Sequence, residues 1–592
     1  MTNQVKIFHY FLVCLLAWAS ISVALAEDTS CEETGETHIW ISPLNPKADG
    51  QVKIMAVSTD GPLSELALID SQGRRMPLQF HRRGGPPWSQ VAALEGFNEG
   101  DYQVVAGREG ELTACRPLTI GRSGSQERPK AWGLATEAFY SAWIEELFGA
   151  PPEENLSFLS LQPVLRNTER NFLHNHLGLN EDKNLPLTPD CADLPYTLRA
   201  YFAWKVGLPI AFRACGRGSA KAPPHCGAAT VKTEFTRGIS TQASFRNVSG
   251  ELANAVHSGS ARTGLEDEST DLYPIPLSRE MLWPGTVYAD PYGHVLVLVE
   301  WVPQVAGRPG ILLGVDAQPD NSVTRKRVWE GTLLFANIES AGPGFKAFRP
   351  LVRKASGGLR ALSNDELVDN PGFAPFSLEQ DQLSSDDFYA RLAKLINPKG
   401  LDPKQAYEST LDALVEQIET RVTSVDNGET YFRKHPGSVI PMPSGAAIFQ
   451  TIGPWEDYST PSRDMRLIIA INVLNGLPEK IVRHPELFLM NGRNPEEAKA
   501  KIEQYHARRI HERSIRYTRT DGSPWELTVA EVLARKPTYE MAYNPNDCTE
   551  IRWGAKPGTK EYSTCRRHAP AEQRAKMKQY RIWFREARRP TQ

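Results

Sequence analysis

The sequence predicts a multidomain protein with an N-terminal β-sandwich, a central α+β domain and a C-terminal, mostly α-helical region. Three observations predict it. Short apolar or alternating runs, separated by Gly, Pro and Asp turns, fill residues 31–122. Helical and strand-like patterns mix over 131–355. From 375 to 592 the apolar spacing is mostly helical. A chain of 592 residues is long enough for several hydrophobic cores.

The first 26 residues read as an export signal. Lys6 gives a positive start, an apolar run follows, and Ala24-Leu25-Ala26 places small residues ahead of a cleavage point at Glu27. The run is too short to span a bilayer comfortably, and Glu27 and Asp28 follow at once. A periplasmic or secreted protein is expected, with no transmembrane segment. Charged residues make up 23% and the net charge is −3, which gives no global pull toward nucleic acid.

Strands are expected at 39–41, 52–54, 66–69 and 102–105, forming a small positioning or binding module. A polar linker, 121–130, follows. Helices are expected at 136–148, 159–177 and 190–206, with strands around 285–316. The segment between Cys215 and Leu277 reads as a loop-rich insertion, loosely packed near 239–270. Farther on, 386–395, 403–422, 467–474 and 496–515 read as helices, and Thr460-Pro461 as a helix start. The basic stretch 566–592 reads as a solvated helix face.

Eight cysteines are present, and Cys14 falls within the signal. Spacing suggests the pairs Cys31–Cys115, Cys215–Cys226 and Cys548–Cys565, leaving Cys191 alone. An unpaired thiol in an oxidising compartment points to a reactive residue. The competing reading is a buried, inert cysteine.

Cys191 opens a strongly apolar helical pattern. Leu194, Leu198, Tyr201, Phe202 and Val206 share one stripe, Pro189-Asp190 suits a helix start, and Gly207 with Pro209 suits its end. A thiol in the first turn would gain thiolate character and oxyanion donors from unpaired amides. Its base is expected to be His294, which follows the turn Pro291-Tyr292-Gly293 and opens an apolar strand. The run Ile311-Leu312-Leu313-Gly314-Val315-Asp316 reads as the next strand. An antiparallel pairing would bring Asp316 beside His294, with Gln318 as second choice.

These residues resemble two families. The Cys191 helix followed by Gly207-Leu208-Pro209-Ile210-Ala211-Phe212-Arg213 is similar to transglutaminase-like domains, which continue with histidine and then aspartate on successive strands. The Asp190-Cys191 pair, with Pro284-Gly285-Thr286-Val287 and Gly293-His294-Val295, looks equally like NlpC/P60 cell-wall peptidases. Both families belong to the papain-like Cys–His folds. The resemblance implies a papain-like middle domain with Cys191 as nucleophile, His294 as base and Asp316 as orienter. Ala192 and Thr286 depart from the NlpC/P60 pattern, and Val295-Leu296-Val297 from the transglutaminase pattern, so the subfamily stays open.

The leading expectation is an exported cysteine hydrolase that cleaves amide bonds, with peptides of the bacterial cell wall as substrate. The alternatives are acyl transfer to an amine, and an inactive envelope scaffold. No cofactor or metal is expected. His174-Asn175-His176 alternates on a presumed helix and would not share a face. The basic turn Arg82-Arg83-Gly84-Gly85-Pro86-Pro87 reads as a solvent loop, and Gly216-Arg217-Gly218 lacks the helix and lysine of a phosphate loop. Trp455 reads as a staple before a helix rather than a glycan platform.

Overall fold

The computed structural model describes residues 31, 35–121, 128–154, 156–185, 187–318, 321–449 and 453–590. The expected signal at 1–26 and most of the expected linker lie outside them.

Two four-stranded antiparallel sheets form the N-terminal region. One runs Thr37–Ser42, Val52–Ser58, Trp88–Leu94, His81–Arg83; the other runs Arg75–Pro77, Glu65–Asp70, Gly100–Arg108, Glu111–Ile120. Side chains alternate across a strand. Ile39, Ile41, Ile54 and Ala56 therefore enter the core shared by the two sheets, with Leu66, Val104 and Leu118. Trp40, Met55 and Val57 point the other way, into the core of the central region. Trp40 stacks on Phe139 with centroids 4.2 Å apart. Burial on both faces explains why 52–57 reads as nearly continuous apolar sequence. The basic turn at 82–87 is not a solvent loop. His81–Arg83 is a strand, and Arg83 Nε donates to Glu146 Oε2 at 3.0 Å, tying the sheet edge to the helix Leu134–Leu147.

The centre is a seven-stranded antiparallel sheet. Its order is Leu272–Pro274, Gly344–Phe348, Val287–Ala289, Val295–Val302, Ile311–Ala317, Val323–Arg327, Ser157–Phe158. On one face Val297, Val299, Leu313 and Val315 pack with Trp143 and Phe202 of the helices Leu134–Leu147 and Asp193–Val206. On the other face Leu296, Leu298 and Leu312 pack with Phe388 and Leu392 of the helix Ser385–Ile396. The sheet is thus a filling between two helical layers.

Two expectations fail here. The helix expected over 159–177 is confined to Leu161–Leu165, and turns follow. Polar side chains take the amides that a helix would pair. Asn167 accepts from Glu169 and Arg170 N–H, and Glu181 accepts from Leu177 and Leu179 N–H. The segment 239–270 is not loose. It holds the helix Gln242–Ala255, capped by Thr241, and Phe245 stacks on Trp204 at 4.6 Å.

The C-terminal region is built on the helices Pro403–Lys434, Pro461–Arg483, Pro495–Arg509 and Ala571–Arg585. Three of them begin with proline, whose missing N–H has no helical partner to lose there. Tyr407, Leu414, Ile418, Leu467, Ile471 and Phe584 fill their core. The helix expected over 496–515 ends at Arg509, because Ile515 and Tyr517 alternate into this core as part of a hairpin, Ser514–Thr518 with Pro524–Thr528. No helix among the described residues is long and apolar enough to cross a membrane. Three disulfides join Cys31 to Cys115, Cys215 to Cys226 and Cys548 to Cys565. Cys191 is free.

Candidate active site

The helix after Cys191 spans Asp193–Val206 and is buried on all sides, with Leu194, Leu198, Tyr201 and Phe202 wholly inside. Gly207 ends it in a left-handed conformation, φ +88°, which a glycine adopts without strain. Cys191 therefore precedes the helix instead of sitting in its first turn. The reason is Asp190. Its Oδ1 accepts from the N–H of Ala192 at 2.8 Å and of Asp193 at 2.9 Å. The amides expected to favour a thiolate and to hold an oxyanion are occupied by a carboxylate. Burial and the Asp190 charge push the Cys191 thiol up, and the nearby Val295 N–H acts against them. The resting group is a protonated thiol.

Val295 is the first residue of the Val295–Val302 strand, so its contact places the sulfur at the strand mouth where His294 stands. The turn before His294 is closed by Asp290 N–H to His294 O at 2.8 Å, and by Tyr292 N–H to Asp290 Oδ1 at 2.7 Å. Gly293 has φ +108°, so a side chain there would be strained.

His294 Nε2 lies 2.6 Å from Asp316 Oδ2, and Asp316 is the only side-chain partner of the ring among the described residues. With Nε2–H donated to Asp316, the Nδ1 lone pair is left open. Asp316 is completely buried on the neighbouring strand, Ile311–Ala317. Its Oδ2 also receives Lys326 Nζ at 2.5 Å from the strand beyond. Burial acts against the carboxylate, but the Lys326 ammonium and the imidazole N–H hold its carboxyl well below the usual range. Burial and the Arg466 guanidinium lower His294 to about 4, so the ring is neutral near pH 7. A neutral imidazole oriented by an ionised aspartate can accept a proton.

The C-terminal region roofs this arrangement. Arg466, on the helix Pro461–Arg483, places Nη2 3.6 Å from Asp290 Oδ2. Arg463 Nη2 donates to Gln318 Oε1 at 2.8 Å, so Gln318 serves the roof and not His294. Arg589, from the stretch expected to be a solvated basic face, is 8% exposed. It donates to Tyr292 O at 3.0 Å and to Ser462 Oγ at 2.9 Å. Glu456 approaches from the helix Pro454–Tyr458, and burial with the neighbouring Asp190 pushes its carboxyl up to about 7. Trp455 beside it is buried against Tyr543. A cavity of about 160 Å³ lies under the roof, lined by His294, Gln318, Lys326, Arg463 and Arg466. Cys191 is not among the residues that line this cavity, and a cavity of similar size bounded by Trp329, Leu392 and Leu477 contains neither Cys191 nor His294.

Sequence reasoning missed Lys326, Arg466 and Arg589. Lys326 had a usable signal, because it lies on the strand that pairs next to Asp316. The two arginines carry no local signal. His176 is structural, its Nδ1 3.0 Å from Ser42 Oγ. One group of Cys and Glu side chains among the described residues, Cys548, Glu550 and Cys565, has metal-holding spacing, but its two sulfurs form a disulfide. Comparison with protein-family models, with curated proteins and with solved structures finds no match to this chain.

Proposed function

We propose that this chain is a cysteine amide hydrolase of papain-like type, with Cys191 as nucleophile, His294 as general base and acid, and Asp316 as orienter. One observation carries this reading. Lys326, Asp316 and His294 form a chain of charge-assisted hydrogen bonds around a buried carboxylate, and it ends at His294, the residue before Val295, whose N–H lies by the only free thiol among the described residues.

A protonated thiol beside a neutral imidazole supports the following order of events. His294 Nδ1 takes the Cys191 proton as the sulfur attacks the amide carbonyl carbon. The carbon–nitrogen bond then breaks, and the imidazolium returns that proton to the departing amine. Water attacks the resulting thioester while Nδ1 takes one of its protons. The thiolate leaves, regains a proton from His294 and frees a carboxylic acid. Arg466 and Lys326 disfavour an imidazolium and Asp316 favours it, so Asp316 is the group that makes the transfer feasible.

Three disulfides support an oxidising compartment, the periplasm or the exterior, and there wall-type peptides are the natural amide substrate. Incubating the full chain with a digest of wall stem peptides tests the reading. New amino termini are expected, absent with Cys191→Ala and with His294→Ala. An unchanged digest, or cleavage that persists in Cys191→Ala, would contradict it. Adding a small primary amine separates the outcomes, since amide products with that amine would mark acyl transfer instead of hydrolysis.

A further inference from the structure

On the Tyr292 side of the site lies a second, small cavity of about 30 Å³. Arg217, Arg262 and Arg589 line it, and among the described residues no carboxylate does. Arg262 and Arg589 are each 8% exposed, and each has an Nε with no hydrogen-bond partner. Their remaining bonds go to neutral oxygens. Arg262 Nη1 donates to Pro291 O at 3.3 Å, and Arg589 donates to Tyr292 O and Ser462 Oγ.

Three carboxyl groups are near, of which Glu456, beside Asp190, is held toward its protonated form by burial. Asp290 faces Arg466 at 3.6 Å and leaves its Oδ2 without a hydrogen bond. Asp190 is engaged by the Ala192 and Asp193 amides. Four guanidiniums therefore meet one loosely placed aspartate. A buried cation with unpaired donors is unfavourable unless something answers it. The cavity has room for about two water-sized groups, the scale of the two oxygens of a carboxylate. Planar guanidinium donors match that shape.

The position relates it to the chemistry. Arg262 and Arg589 both bond the Pro291-Tyr292 turn that aims His294, and Arg589 is an electrostatic neighbour of Cys191. We propose that Arg262 and Arg589, with Arg217 at the mouth, form a subsite that seats a substrate carboxylate next to the scissile amide. The substrate is then an acidic peptide, one with a free carboxylate on the residue flanking the bond. This rests on the hydrolase reading above.

Two reagents that differ by one charge test it. Iodoacetate and iodoacetamide alkylate the same sulfur by the same displacement of iodide. The ratio of their rates at Cys191 in the full chain cancels any change in thiol reactivity common to both. The ratio is expected to favour iodoacetate by about tenfold in the wild type, the worth of one charge-assisted pair, and to fall toward unity in Arg589→Gln and Arg262→Gln. Arg217→Gln, at an exposed residue, should lower it by a smaller factor and guards against a folding defect in the buried variants. A wild-type ratio of one or less, or a ratio indifferent to all three substitutions, would overturn the subsite. Failure of both reagents to modify Cys191 would sink the hydrolase reading instead, and calorimetric titration with glutarate then decides the anion site. Binding that disappears in Arg589→Gln supports it, and no binding to the wild type overturns it.

Discussion

On the sheet side of the candidate site, Lys326, Asp316 and His294 answer one another across three adjacent strands, at 2.5 and 2.6 Å. On the roof side, Arg262, Arg466 and Arg589 have donors that nothing among the described residues accepts. Both sides are buried and charged, yet one is balanced by its own sequence and the other is not. The balanced side is built on paired strands whose register brings its charges together, although both bonds fall on Asp316 Oδ2 and its Oδ1 has no hydrogen-bond partner among the described residues. The unbalanced side comes from a turn, a helix start and the chain's last described residues. On the proposed hydrolase reading, the contrast separates parts that must be rigid before substrate arrives from parts that await a charge.

The largest effect tests the balanced side. Asp316→Asn removes the acceptor that fixes the His294 tautomer, and should reduce kcat by about 10³- to 10⁴-fold. It also leaves the half-buried Lys326 ammonium without its carboxylate, at a cost of about 1–3 kcal/mol in urea unfolding. Adding Lys326→Met should recover much of that stability and none of the rate. A double variant that regains activity would show that Asp316 acts only through Lys326.

The next effect concerns pH. His294 is lowered to about 4, and the base is the neutral ring, so kcat/KM should hold through pH 5 and fall as pH drops through about 4. The sign for stability agrees. The unfolded histidine binds its proton below about pH 6.5 while the folded one does not until about 4, so this residue costs stability as pH falls across that window. An acid limb near 6.5 in the rate profile would mean that the roof cations do not act on the ring.

The smallest effect concerns the thiol. Asp190→Asn keeps an acceptor for the Ala192 and Asp193 amides and removes the charge beside the sulfur. The alkylation rate of Cys191 at pH 7.5 should rise about three- to tenfold, since one pKa unit is a factor of ten in thiolate. A slower rate would show that Asp190 helps the thiol ionise.

The two sides also differ in how far they were legible in the sequence. His294 and Asp316 could be paired from the chain alone, because consecutive apolar strands in a short connection are usually antiparallel neighbours and the alternation sets the register. The three disulfide pairs and the free Cys191 followed from spacing. The position of Cys191 relative to its helix did not. That boundary depends on which group caps the first amides, and Asp190 does so although it lies before the cysteine. Trp40 and Met55 read as part of a separate module because period-two alternation shows that two faces are buried, and not what covers the second one. Arg466 and Arg589 were illegible for a simpler reason. They reach the site across 275 or more residues from Cys191, and nothing in a basic helix or tail distinguishes the arginine that turns inward.

Alkylation of Cys191 by iodoacetamide in the native full chain, compared with His294→Ala and mapped by mass spectrometry, tests the central claim most directly. The account predicts that Cys191 alone is modified and that its rate falls at least about tenfold in the variant, because the thiol depends on Nδ1 to lose its proton. Equal rates in the two proteins would contradict it and leave Cys191 a half-buried cysteine beside an unrelated ion pair.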